Sequence, residues 1–550
     1  MRKTALSPKV IEGRGPPSYY KRLGFSLIHT FTPPLAFLNN GKLKIIKARV
    51  GAELILDHAA MPDKLRWAIA QHFVIKNPEL EKRQRMGLSN GHLQQHVKFY
   101  RVRNGPQWEE EIILPRGAFS KIARLAKRHG YAINVDGGIK VTNRSKAILN
   151  CQDLGVDLRP YQIEACNKLI QSVQGYIALP CGAGKTVLGA AAVVATGQPS
   201  IVLVHTEDLL LQWAGVFENM YATDVRRVNS GGGDYRWRQL GDNEIAIAMV
   251  QTLHANPLKR KGLLASAGVV LLDECHHAPA DSFRSLFKEI PARYRWGLTA
   301  TPDRPDGWGC LLPMFIGPQL FSMKPRHLVE QGYLMMPSIL PVETGIMVPS
   351  SAWGRDKGGT KKSAMALNWL CNNKERRQFL VDVSLEGAED GRTCLILVPR
   401  VNLAYWLADQ LSQKGIDCKA VTGKMNKKAR EYALEDLRKG KLQAIVATQL
   451  ADEGLDIPNL DYLVNASTGR AGGRAIQRIG RAMRVSEGKQ TPLVVDLIDN
   501  DPVYRRQWKN RAMAYKSAIN AKIPKVVPAE MAISAIKNEL LKTKKGGECG

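Results

Sequence analysis

Short apolar runs recur from about position 175 onward, each followed by a stretch whose apolar residues fall at helical spacing. The runs are GYIALP, SIVLVHT, EIAIAMV, GVVLLDE and RWGLTAT. Continuous apolar strands alternating with helices predict a parallel sheet covered on both faces. A polar, Gly- and Lys-rich stretch, SSAWGRDKGGTKKSA (350–364), interrupts the series and reads as a loop or linker. TCLILVP, CKAVTG, AIVATQ, DYLVNA and TPLVVDLID then restart it, ending near 500. Two successive α/β units are the expectation. Upstream, LKIIKARVGAELILD alternates as one or two strands. PRGAFSKIARLAKRHGY (115–131) places Phe119, Ile122, Ala123 and Leu125 on one helical face, Lys121, Arg124, Lys127 and Arg128 outward, and Gly130 as a stop. The last 50 residues read as helical and basic, with LKTKKGGECG as a frayed tail. The expected layout is a basic α+β N-terminal domain (1–150), a first α/β lobe (151–345), a linker (346–365), a second lobe (366–500) and a helical basic C-terminal extension (501–550).

At 550 residues, with 44% hydrophobic and 23% charged side chains, the chain has the composition of a soluble globular protein of several folding units. No window approaches the ~20 apolar residues of a membrane span, so no membrane partner is expected. The N-terminal MRKTALSPKVIEGRG lacks the apolar stretch of a secretory signal. Nine cysteines are scattered without a C-x-x-C pair, so neither a zinc ribbon nor a disulfide framework is suggested. Charge changes the picture more: the net +29 is concentrated at the ends, with 27 basic and 10 acidic side chains in 1–150, and 11 and 4 in 501–550. A basic flank points to a polyanion, usually nucleic acid.

The candidate chemistry starts at LPCGAGKT (179–186), between an apolar strand and a helix pattern. Backbone N–H groups of such a glycine turn can surround phosphate oxygens, Lys185 can neutralise β/γ charge and Thr186 can ligate Mg²⁺. Leu179 stands where the general phosphate-loop pattern carries its first glycine. VVLLDECHH (269–277) ends a buried strand in two acids, so Asp273 can hold Mg²⁺ and Glu274 can polarise a water. His276 and His277 are adjacent and point apart on most backbones, which argues against a zinc pair. AIQRIGRAMR (475–484) sets Arg478, Arg481 and Arg484 at helical spacing after Gln477; such arginines usually form a solvated face, yet a γ-phosphate needs an external cation, and Arg481 and Arg484 are the candidates.

Taken together, these segments resemble the superfamily 2 DExH-type helicases and translocases. LRPYQIEA (158–165) is similar to the adenine-recognition element, LPCGAGKT to motif I, DECH (273–276) to motif II and TAT (299–301) to motif III. ATQLADEGLDIP (447–458) and QRIGRAMR (477–484) are similar to motifs V and VI. In that family the loop uses Gly182 and Gly184, so Leu179 replaces no required glycine. The resemblance implies two RecA-like lobes with ATP and Mg²⁺ between them. Arg159, Gln162, Gly182, Gly184, Lys185, Thr186, Asp273 and Glu274 would come from the first lobe, and Gly454, Asp456, Gln477, Arg481 and Arg484 from the second. It also implies a strand track over His205, Thr206, Gln251, Thr252, Thr422, Gly423 and Thr448, although each threonine could equally be a helix cap or strand surface.

The core does not discriminate DNA from RNA. HFVIKNPELEKRQRMG (72–87) with EEEIILPRGAFSKIARLAKRHGY (109–131) resembles the N-terminal domain of UvsW-like phage and bacterial DNA helicases. That resemblance implies duplex, forked or junction DNA as partner, with Lys121, Arg124, Lys127 and Arg128 as candidate phosphate contacts. It further implies a cytoplasmic, nucleoid-associated protein of a bacterial or phage-infected cell. An RNA helicase, or the translocase subunit of a restriction-type nuclease complex, is the alternative.

Overall fold

In the computed structural model, Lys44–Val50 and Glu53–Asp57 are two strands that pair antiparallel, Ala48 opposite Leu56 and Val50 opposite Leu54, which puts the apolar members of both on one face. The structure describes residues 43–85, 89, 91, 93–135, 154, 156–221, 223–229, 233–278, 281–300, 307–355, 361–448, 457–466, 479–480, 482–486, 488–519 and 523–545.

The N-terminal domain is a five-stranded sheet in the order Arg101–Arg103, Glu111–Pro115, Glu53–Asp57, Lys44–Val50, Tyr131–Val135, with helices Asp63–Phe73 and Phe119–Arg128. The second helix buries Phe119, Ile122, Leu125 and Ala126 and exposes Lys121, Arg124, Lys127 and Arg128. Ala126 rather than Ala123 therefore completes the buried stripe. Gly130 follows at φ +82, a left-handed turn position that glycine adopts without a Cβ clash.

The first lobe is a seven-stranded, wholly parallel sheet: Val225–Val228, Ile245–Met249, Ser200–Val204, Val269–Leu272, Tyr294–Thr299, Gln174–Ala178, Gln319–Ser322. Every residue of the three strands Ser200–Val204, Val269–Leu272 and Tyr294–Thr299 is buried, as expected where helices cover both faces. The second lobe has six parallel strands in the order Ser338–Glu343, Leu493–Ile498, Tyr462–Asn465, Cys394–Val398, Ala444–Thr448, Cys418–Val421. The five apolar runs expected in each lobe are all strands.

The expected boundaries shift in three places. Ser338–Glu343, expected in the first lobe, pairs with Leu493–Ile498 at the edge of the second sheet. The expected linker is not a free connection: Val348 and Trp353 pack with Ala366, Leu370 and Tyr504 in a small core of their own. The C-terminal extension is helical, Pro502–Ile519 and Ala532–Lys545, but it is part of the second lobe, burying Ala532, Ile536 and Leu540 against that lobe's apolar core. Cys166, on the buried side of helix Pro160–Gln171, is disulfide-bonded, a pairing the scattered cysteines did not predict. Among the described residues no helix is long and apolar enough to cross a membrane.

Two buried arginines join the N-terminal domain to the first lobe. Arg116 donates to Gly51 O at 3.2 Å within its own domain and to the carbonyls of Ala292 and Arg293 in the lobe. Arg295 of the lobe donates in the opposite direction, to Ala52 O at 3.0 Å. Both side chains are buried, and their hydrogen bonds go to backbone carbonyls and, from Arg116, to Gln174 Oε1, with Arg295 Nε left without an acceptor among the described residues.

Candidate functional site

In a parallel sheet every strand delivers its C-terminal end to the same edge, so residues that follow strands converge there. Strand Gln174–Ala178 leads into the loop 179–184, and Leu179 N donates to Thr299 O at 3.0 Å, tying the loop to the end of Tyr294–Thr299. Gly182 and Gly184 have φ of +81 and +68. A Cβ on Gly182 would lie 3.2 Å from Arg484 Cγ and 3.2 Å from Gly480 O, both in the second lobe. A Cβ on Gly480 would collide with the Cys181 side chain. The second lobe's arginine segment thus lies directly on the glycine turn. Leu334 and Arg484 form an antiparallel bridge, and Met335 N donates to Met483 O at 2.7 Å.

Lys185 opens the helix Lys185–Thr196, with Thr186 next to it, and its Nζ donates to Leu179 O and Pro180 O, both at 3.3 Å. Burial opposes its charge, but Cys181, Glu274 and Asp273 opposite raise its pKa above the usual lysine value. Asp273 follows strand Val269–Leu272. Its Oδ2 accepts from Trp213 Nε1 at 2.8 Å and its Oδ1 from Glu274 N at 2.9 Å. Burial, then the neighbouring Glu274 carboxylate, raises the pKa of Asp273. Glu274 moves the other way: burial opposes ionisation, but His276, Lys185 and His205 together hold it below the normal carboxylate range. Glu274 sits at φ +45 with its carboxylate 3.2 Å from His276 Nδ1, and the same nitrogen lies 3.1 Å from Thr299 Oγ1. The acid pair is thereby linked to the next strand. Among the described residues no cluster of His, Cys, Asp and Glu could hold a metal by itself. The hydroxyl of Thr186 and carboxylate of Asp273 are nonetheless hard oxygen donors of the kind Mg²⁺ takes alongside phosphate.

Gln162 does not stand apart as a base reader. Its Oε1 accepts from Arg159 N at 2.9 Å, and its Nε2 donates to Ala183 O and Gly184 O, each at 3.3 Å. Tyr161 OH donates to Ala183 O at 2.8 Å. Arg159 lies 4.6 Å over the ring of Tyr333, whose centroid is 5.5 Å from that of Tyr161. The Arg159, Tyr333 and Tyr161 group thus abuts the glycine turn, tied to it by the hydrogen bonds of Tyr161 and Gln162.

Three contributors carry no sequence signal. Trp213 orients Asp273 from the helix Glu207–Tyr221, and Tyr333 belongs to no periodic element. Lys489 Nζ donates to Ala482 O and Arg484 O, both at 2.7 Å, and to Pro458 O at 3.1 Å, holding the arginine segment from behind.

The expected strand-track residues also lie at strand ends. Thr206 Oγ1 accepts from Leu209 N at 3.3 Å, the helix-cap reading of that residue. Gln251 Nε2 donates to His205 O at 2.9 Å, and Gln251 and Gly423 are exposed. Thr252, Thr422 and Thr448 are buried. Gly454, Asp456, Gln477 and Arg481 lie outside the described residues.

Residues 155–304 match the family model described as Type III restriction enzyme, res subunit, and residues 375–486 match Helicase conserved C-terminal domain. The chain is 28% identical over 454 residues to helicase 22 of Sulfolobus islandicus filamentous virus (isolate Iceland/Hveragerdi), covering 75% of this chain and 76% of that protein. It is 28% identical over 343 residues to the DNA 3'-5' helicase XPB of Kineococcus radiotolerans, covering 60% of this chain and 58% of the relative. Among solved structures, the ATP-dependent Type ISP restriction-modification enzyme LlaBIII bound to DNA gives a TM-score of 0.50 at 15% identity, over 71% of this chain and 33% of that one, a likeness of fold.

Proposed function

We propose that this chain, which matches the res-subunit and helicase C-terminal family models and whose motifs resemble those of superfamily 2 helicases, is an ATP-driven helicase or translocase of duplex or branched DNA. It would unwind, anneal or branch-migrate DNA in recombination, repair or replication. The observation that carries the motor reading is the seating of Arg484 against Gly182, which joins the two lobes across one phosphate-binding turn. DNA is supported by the basic surplus of residues 1–150, by the resemblance of that region to UvsW-like helicases, and by relatives named as DNA helicases.

Lys185 and the N–H groups of the glycine turn bind and orient the terminal phosphates of ATP, and Thr186 and Asp273 would hold Mg²⁺. The bound ion supplies charge neutralisation of the phosphates. Glu274, kept ionised by His276, Lys185 and His205, accepts a proton from the attacking water. Arg484, with Arg481 beside it in sequence, brings the second lobe's cation to the transferring phosphoryl. By the resemblance of their motifs, Gly454, Asp456 and Gln477 would be further nucleotide contacts of that lobe. Loss of the γ-phosphate removes what Arg484 binds, so the lobes separate and the next ATP closes them again. A strand lying over Gln251, Gly423 and the strand ends about His205, Thr206, Thr252, Thr422 and Thr448 is advanced by that cycle through backbone contacts that read no sequence.

The test is ATP turnover and strand separation on single-stranded, duplex, forked and four-way-junction DNA, with RNA equivalents. Greater stimulation by forks or junctions than by single strands is the expected result, and a preference for RNA overturns the DNA assignment. The res-subunit match favours a second reading, the translocase subunit of a restriction complex. Under that reading duplex DNA is translocated without strand separation, and the same panel tells the two apart.

A further inference from the structure

Away from the nucleotide site, a cavity of about 410 Å³ opens where the N-terminal sheet meets the first lobe. Its lining includes Lys98, Arg101 and Arg116 from the N-terminal domain and Arg284, Lys288 and Arg295 from the lobe. Among the described lining residues Glu53 is the one carboxylate, and Arg101 already takes both of its oxygens, at 3.1 and 2.6 Å. Phe99, Phe287 and Phe315 supply apolar wall between the cations.

Six cations gather on this lining and make the cleft strongly positive. Arg116 and Arg295 are each 1% exposed, and both donate to neutral acceptors, backbone carbonyls and, from Arg116, Gln174. Among the described residues, Arg295 Nε is buried with no hydrogen-bond partner. Burial, then Arg295 and Arg293, pulls the pKa of Arg116 down, and burial alone lowers that of Arg284. A multivalent anion entering the cleft offsets this field. The cations free to follow such an anion into solvent are at the rim, where Lys98 of the N-terminal domain and Lys288 of the lobe are exposed, beside the exposed Arg101 that pairs with Glu53. A small free anion is matched by donors converging from within, and here the inner guanidiniums are occupied by carbonyls. A rim of separated, exposed cations matches an anion that repeats along a line.

We propose that this cleft binds the phosphodiester backbone of duplex DNA, at a site separate from the strand track across the two lobes. The inference rests on the DNA reading above and adds to it a second point of grip, formed jointly by the N-terminal domain and the first lobe.

The test is a Lys98→Gln/Lys288→Gln double variant, compared with a Lys414→Gln/Lys441→Gln control that removes two exposed lysines from the second lobe. Blunt duplex binding is titrated against salt. Each phosphate contact contributes roughly −0.9 to the slope of log K against log salt, so the cleft variant is expected to flatten the slope by about two and the control to leave it near the wild-type value. Melting temperature and ATP turnover without nucleic acid check the fold of both variants. Tripolyphosphate titrated calorimetrically into the wild type and the cleft variant separates the two sources of phosphate. Saturable binding abolished in the variant while the duplex slope is unchanged assigns the cleft to a free polyanion and overturns the proposal. Equal flattening in cleft and control variants overturns it as non-specific charge loss. Wild-type protein that binds duplex but whose cleft variant keeps the full slope overturns the cleft and leaves the DNA reading standing. Wild-type protein that binds no duplex overturns both.

Discussion

Arg430 of the second lobe and Asp208 of the first are joined by an ion pair with a nitrogen–oxygen distance of 3.0 Å, directly across the interface that ATP hydrolysis must open. Asp208 is on helix Glu207–Tyr221 and Arg430 on helix Lys427–Arg438, so the pair reports the spacing of two rigid elements. Both side chains are partly exposed, which limits the pair to roughly 0.2–1 kcal/mol. Asp208→Ala is expected to weaken closure by up to about fivefold, read as a raised KM for ATP with little change in kcat. The charge-exchanged double variant Asp208→Arg/Arg430→Asp should recover most of the loss, and high salt should shrink the difference.

Gly182→Ala attacks the glycine turn from two sides. A left-handed φ of +81 costs a non-glycine residue about 1–2 kcal/mol, and the new methyl would press on Arg484 Cγ and Gly480 O. ATP turnover is expected to fall by at least about tenfold, because about 1.4 kcal/mol at the closed interface already gives that factor. Thermal unfolding should also come at a lower temperature, since the left-handed strain and the contact with buried Leu334 Cδ2, 3.0 Å from that Cβ, burden the folded chain whether or not ATP is bound.

Lys185→Ala removes the cation that faces Asp273 and Glu274 across the phosphate position. Turnover is expected to drop roughly 10²–10³-fold, the usual effect of deleting one preorganised donor at a developing charge. A variant that kept wild-type ATP hydrolysis would remove Lys185 from the mechanism.

Lys489 gives a pH dependence. Burial lowers its pKa to about 8, with Asp461 opposing and Arg484 adding to the fall. Below that value the ammonium has three protons for three carbonyls; above it the amine has two, and one of the carbonyls behind Arg484 goes unpaired. The turnover number should therefore fall as pH rises through about 8, and Lys489→Arg should move that limb upward. Stability runs the other way. The unfolded lysine holds its proton up to about 10.4, so between about 8 and 10.4 the unfolded state binds more protons and this residue's contribution to stability rises with pH. A melting series over the same range distinguishes the two effects.

Arg116→Leu should be the most destabilising of these changes. It leaves the carbonyls of Gly51, Ala292 and Arg293 without their donor inside a buried joint, at about 1–3 kcal/mol for each buried unsatisfied group. The expected loss is several kcal/mol, measured as a lowered denaturation midpoint together with faster proteolytic cleavage between the N-terminal domain and the first lobe.

Nine inner strands and the edge strand Cys418–Val421 were legible as short apolar-rich runs, and the candidate nucleotide-site residues stood out because that chemistry needs particular residue types at strand ends. The edge strands Val225–Val228, Gln319–Ser322 and Ser338–Glu343 were not legible. Val225–Val228 carries Arg226 and Arg227, whose partners Glu244 and Glu218 are remote in sequence, and Ser338–Glu343 contains Pro341, which a sheet accepts at an edge. That proline-bearing run, so close to a polar stretch, placed the lobe boundary too late. The basic face of helix Phe119–Arg128 was readable from its period, whereas Trp213, Tyr333 and Lys489 act through contacts that no local spacing encodes. Thr252 and Thr422 sit where a strand-contact motif puts them and yet are buried, since a threonine in a motif looks the same whether its hydroxyl faces a ligand or the core.

The reciprocal arginines at the N-terminal joint have a mechanical consequence. Each domain is fastened to the other's main chain, and main-chain carbonyls do not swing aside as side-chain partners do. The joint therefore has no slack to absorb a stroke. On the proposed cycle the N-terminal domain and first lobe would serve as one fixed datum against which the second lobe is displaced, so softening Arg116 or Arg295 would shorten the step before it slowed the chemistry.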